Sequence, residues 1–81
     1  MTFSLLVFSL DRELFTGDAK SVRVPGAAGE LEVLAHHTPL ISQLKEGDII
    51  IETADGTQKK LPVAGGVLDV KEHEVVILAN L

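Results

Sequence analysis

No cysteine, tryptophan or tyrosine occurs among the 81 residues of this chain. Without cysteine there is no disulfide framework, no thiolate metal site and no cysteine nucleophile, and a reducing, intracellular setting fits best. Three phenylalanines are the only aromatic residues. A deep pocket or a platform for a sugar ring is therefore hard to build. Basic residues are also scarce: seven lysines and arginines stand against twelve aspartates and glutamates, a formal net charge of −5. No basic stripe is available to neutralise phosphates, so nucleic acid and an anionic membrane surface are poor partners. Long apolar runs are missing too. The opening MTFSLLVFSL has no basic residue ahead of its apolar stretch and stops at Asp11 and Arg12, so it reads as a buried strand rather than a signal peptide. Nothing approaches the roughly 20 apolar residues of a membrane-spanning helix, and no direct membrane insertion is expected.

What is present is aliphatic. The chain is 46% hydrophobic, supplied mainly by valine, isoleucine, leucine and alanine, which suit pleated sheets. A domain of this size buries only about 60% of its unfolded surface, so the core has to be dense. Short segments separated by turn signals predict an all-β fold of eight to ten strands, antiparallel and in two packed layers. Phe3 to Ser9 is apolar on both faces, as in a strand covered on each side. The run around Leu14 and Phe15 is expected to end in a turn at Thr16-Gly17-Asp18. Val22 and Val24 then alternate with Ser21 and Arg23, and Leu31 and Val33 with Glu30 and Glu32. Thr38 and Pro39 have the character of a helical first turn. Asp55-Gly56 between two strand-like runs predicts a two-residue hairpin, KEHE predicts an exposed turn, and Gly65-Gly66 marks a bulge or a close backbone approach. No repeat, low-complexity tract or linker divides the chain, which predicts one domain over residues 1–81.

Candidate sites compete with plainer readings. His36 and His37 are neighbours, and neighbours in an extended segment point to opposite faces. A metal site would need a further ligand such as His73 or Glu30, and no metal is expected. Glu30 and Glu32 lie on one strand face about 7 Å apart, a spacing that suits paired catalytic carboxylates. A solvated face or a partner contact is the better account in so small a sandwich. Gly26 and Gly29 lack the lysine and helix of a phosphate-binding loop, and none of Ser4, Ser9, Ser21 and Ser42 lies in a nucleophile elbow. No catalytic residue is assigned.

The stretch VPGAAGELEVLAHHTPL resembles the signature of the F-type ATP synthase epsilon subunit, called delta in mitochondria: V-P-G, then G-E-L, then H-x-P-L. LFTGDAKSVRVPG, LKEG, VAGGVLDV and VVILA are similar to further family motifs in the same order. The resemblance covers nearly the whole chain. It implies a flattened sandwich of about ten short strands and a non-catalytic place in the central rotor stalk, clamped to gamma and seated on the c ring. It implies c-ring contact through Glu30 and His37, and gamma contact through Ser9, His37, Leu40, Ile41 and Ser42. It also implies a peripheral position on the cytoplasmic face of the bacterial inner membrane. Two residues depart from the family pattern: Glu32 stands where glycine is usual and Ala35 where proline is frequent. The family's carboxy-terminal helical hairpin has no counterpart in these 81 residues; if Leu81 is the natural terminus, neither ATP binding nor helix-mediated inhibition is expected. No cofactor is expected. A generic β-sandwich interaction module of another complex is the principal alternative; a small hydrolase or metal-binding protein using Glu30, Glu32 and the histidines is a third.

Overall fold

A computed structural model describes residues 1–81. It contains eight strands and no helix: β1 (Phe3–Phe8), β2 (Glu13–Gly26), β3 (Gly29–Leu34), β4 (Leu40–Leu44), β5 (Gly47–Thr53), β6 (Gln58–Val63), β7 (Gly65–Val70) and β8 (Glu74–Asn80). The expected turn at Thr16-Gly17-Asp18 does not form. Those residues pair with Leu6, Leu5 and Ser4 of β1, so the chain from Glu13 to Gly26 is one strand of 14 residues. Continuous pairing overrides the local turn chemistry. Nor does a helical turn start at Thr38; Pro39 leads directly into β4.

The length of β2 lets it serve two layers. Its first part pairs with β1, and its second with β5 on one side and β3 on the other. One layer therefore runs β2, β1, β8, β7, β4, and the other β3, β2, β5, β6. All pairs are antiparallel except β1 with β8. A parallel pair cannot be made by a hairpin, and here the rest of the chain forms the connection. Where β2 changes partners, the register shifts between Ala19 and Ser21. Lys20 is the extra residue of this bulge. Ala19 faces inward before it, and Val22 and Val24 after it, because one inserted residue exchanges the two faces of a strand.

The core holds 15 buried residues, all aliphatic, drawn from all eight strands and including Leu5, Val22, Ile49, Leu68 and Ile77; Phe3 and Phe15 pack at its margin. The hairpin at Asp55-Gly56 is present, with three residues in its loop rather than two. The Thr53 amide donates to the Thr57 carbonyl at 2.8 Å and the Gly56 amide to the Thr53 carbonyl at 2.9 Å. Gly56 takes φ +89°, the left-handed residue of a type I turn followed by a bulge. At Gly66 the expected close approach is found: an added Cβ would collide with the Leu78 carbonyl oxygen of β8. The β7–β8 register is unbroken there, so no bulge accompanies it.

Candidate docking surface

The two layers present different outer faces. On β3, β2, β5 and β6 the outward row is Glu32, Arg23, Ile50 and Lys60, and Lys60 pairs with Asp48 at 3.8 Å. That is an ordinary solvated face. On the other layer, register sets Leu6 beside Val76 and Phe8 beside Leu78. Val67 continues the row from Leu78, and Asp69 stands between Val76 and Ile41. Leu6, Phe8, Val76 and Leu78 are half-buried. Val67 is 40% exposed and Ile41 74%. Asp69 lies among these apolar residues, and Lys71 pairs with it at 3.9 Å; Glu13 opposite Phe8, and Asp18 and Glu74 opposite Ser4, border the surface. A contiguous outward apolar surface on a small domain is the mark of a contact surface.

The residues expected at contacts fall in three places. Glu30, Leu40, Ile41 and Ser42 line one groove of about 340 Å³ together with the β2–β3 turn. Glu30 is exposed opposite Pro25. Ile41 points outward beside the apolar face, whereas the half-buried Leu40 packs against the core. The Ser42 hydroxyl donates to the Gln43 carbonyl at 3.2 Å. His37 lies in a different cleft with His36 and His73. Its backbone amide donates to the Leu34 carbonyl at 3.2 Å, closing a turn, and its Nδ1 meets the Thr38 carbonyl at 2.7 Å. Ser9 is separate again. Only 8% exposed, it donates its hydroxyl to Asp11 at 2.7 Å, and that bond is the chief reason the Asp11 carboxyl is held below its usual range. Its local role is to lock the β1–β2 connection.

No three histidine, aspartate or glutamate side chains are grouped so as to hold a metal ion. Glu30 and Glu32 both point to solvent. Sequence reasoning named Ile41 and read β1 as covered on both faces, but did not join Leu6 and Phe8 to Val67, Val76 and Leu78 in one outer surface. The signal was available in β1 and β8, whose apolar runs lack the polar alternation of a strand with one wet face.

Residues 2–81 match the model of the ATP synthase delta/epsilon chain β-sandwich domain. The chain belongs to this family. Among epsilon-family relatives, the ATP synthase epsilon chain of Bordetella petrii is 44% identical over 79 residues, which cover 98% of this chain and 56% of that one. The epsilon chain of Verminephrobacter eiseniae is 42% identical over 79 residues, 98% of this chain and 57% of its own length. The chain thus spans little more than half the length of these epsilon-family relatives. A chain in the Euglena gracilis mitochondrial ATP synthase, solved with OSCP, F1 and c-ring, superposes with a TM-score of 0.89 at 24% identity, over 96% of this chain and 50% of that one. A chain in the Tetrahymena thermophila ATP synthase central stalk and c-ring gives 0.83 at 11% identity, over 100% of this chain and 65% of that one. These two likenesses speak to the fold alone.

Proposed function

We propose that this domain is a non-catalytic coupling element of the central stalk of an F-type ATP synthase, docking on gamma through its apolar outer face and approaching the c ring with the corner that carries Glu30. The observation that carries the reading is the asymmetry of the sandwich. One outer face is laced with charge, and the other presents Leu6, Phe8, Ile41, Val67, Val76 and Leu78 in register. Family membership says which kind of assembly would cover it. Ile41, Leu40 and Ser42 flank the groove at the edge of that face, and His37 lies at the end of the same β3–β4 connection. Glu30, exposed on the neighbouring turn, offers a carboxylate to basic groups on polar loops of the ring, a contact that weakens with salt. Within such a complex the domain sits peripherally on the cytoplasmic face of the bacterial inner membrane. Its contribution is mechanical: a rigid sheet clamped to a shaft transmits rotation without chemistry of its own.

Co-purification with the cognate gamma subunit tests this. Ile41→Glu is the informative variant because its side chain is 74% exposed; Leu40 touches the core, and a charge there would confound folding with docking. Burying an isoleucine contributes about 1.5–3 kcal/mol. The variant is therefore expected to weaken the complex at least about tenfold with an unchanged unfolding midpoint, while Lys60→Glu on the polar face leaves it intact. A gamma complex indifferent to Ile41→Glu would refute the docking face. Absence of any complex would turn the assignment towards an interaction module of another assembly.

A further inference from the structure

All three histidines of the chain, His36, His37 and His73, line one cleft of about 400 Å³ at the end of the sandwich. They arrive from two places: His36 and His37 from the β3–β4 connection, and His73 from the β7–β8 turn. Lys71, Glu72 and Glu74 are the only other charged residues in the lining, and the start of β1 contributes Thr2 and Phe3 without charge. Backbone geometry singles out one of the three. His36 adopts φ +67°, the only non-glycine residue of the chain at positive φ. Glycine takes that conformation without the steric cost a side chain brings. A residue kept in a disfavoured conformation calls for a functional account, and the imidazole that results projects into a cleft already holding two more.

Imidazole is the side chain that changes charge between about pH 5 and 8. Lys71 is paired with Asp69 outside the lining, so with the histidines neutral Lys71, Asp69, Glu72 and Glu74 sum to −2, and with all three protonated the sum is +1. Protonation of the three histidines thus reverses the sign of the lining. His37 engages the Thr38 carbonyl through Nδ1, which leaves Nε2 as its free atom. His73 Nε2 lies 3.1 Å from the Glu72 carboxylate, so one internal carboxylate already competes for this imidazole. A ligand that uses the reversal has to keep its own charge while the histidines gain theirs. Carboxylates, with an ordinary pKa near 4, do so. Phosphate esters lose their second charge at about pH 6, within the same interval.

We propose that this cleft is an acid-strengthened site for carboxylate ligands, taken either from the aspartate and glutamate side chains of an acidic peptide segment or from a free dicarboxylate. The site is separate from the apolar face and does not rest on the rotor reading. It rests on the convergence of the three histidines and the left-handed backbone at His36.

The test is a titration of the isotopically labelled full chain with tetraglutamate and, separately, with succinate, at pH 5.5 and 7.5 and constant low ionic strength, following the histidine ring signals by NMR. At least one ligand is expected to bind about fivefold or more tightly at pH 5.5, moving the signals of His36, His37 and His73. Preference for tetraglutamate identifies a peptide ligand, and equal or stronger response to succinate a free acid. In the double variant His36→Gly, His73→Gln the ratio between the two pH values is expected to fall to about twofold or less. Both positions are exposed, and glycine relieves the backbone at residue 36, so the variant retains the fold. Affinity that is equal at the two pH values, undetectable at both, or equally pH-dependent in the double variant would overturn the proposal.

Discussion

At position 36 the physical conflict between backbone and side chain is plain. His36 sits at φ +67°, where a side chain costs about 1–2 kcal/mol, while glycine regains part of that as unfolded-state entropy. His36→Gly is therefore expected to stabilise the domain by about 0.5–1 kcal/mol, raising the thermal midpoint by a few degrees; differential scanning calorimetry on the two proteins reads the difference. The sequence showed two adjacent histidines and the correct inference that an extended pair would diverge. It did not show that the chain turns between them, because the turn depends on the Leu34 carbonyl reaching the His37 amide. Ser9 carries a similar lesson. A family position expected at a contact is here a buried hydroxyl holding Asp11, and its exposure depends on how β1 ends.

Elements behave in the same way, with local signals that name a feature and contacts that set its form. Asp55-Gly56 correctly announces the β5–β6 hairpin, but the loop has three residues because the Asp55 carboxylate accepts from the Thr53 hydroxyl and from the Thr57 amide at 3.0 Å. Those bonds, the Thr53 hydroxyl first, hold the Asp55 carboxyl down to about 2. A carboxyl depressed in the folded state contributes stability above its ordinary range near 4, and that contribution is lost as pH falls through about 2. A carbon-detected NMR titration is expected to give Asp55 a midpoint near 2, and Thr53→Val is expected to move it upward. A midpoint unchanged by Thr53→Val would show that the hydroxyl is not the principal cause. In β2 the bulge at Lys20 was not legible. Alternation could be read on each side of it, at Ala19 and at Val22 and Val24, but the inserted residue has no compositional mark.

On the scale of the molecule, a domain of this size is held by about 4–12 kcal/mol, so individual core residues weigh heavily. Leu68 is fully buried at 0% exposure. Leu68→Ala is expected to cost about 2–5 kcal/mol, enough to leave a substantial unfolded fraction near 37 °C. Urea denaturation checks it, and a loss below about 1 kcal/mol would mean that the core relaxes into the space. The same scale explains the apolar outer face. Of the fully buried large side chains, all are aliphatic, and the domain spends further aliphatic residues outside that core, on β1, β4, β7 and β8. Those residues add little to an isolated sandwich and suit a surface that another protein covers.

The sequence by itself determined the class of the fold, the aliphatic core, most strand positions, the hairpin at Asp55-Gly56 and the family, because these depend on side-chain periodicity, turn chemistry and motif order, all local along the chain. Tertiary structure alone decided that β2 spans both layers, that β1 and β8 run parallel, that the outward residues of four strands form one apolar surface, and that three histidines share a cleft. Each of those depends on which strands become neighbours. Pairing between segments far apart in sequence is set by the packing of the whole core, and no short stretch records it.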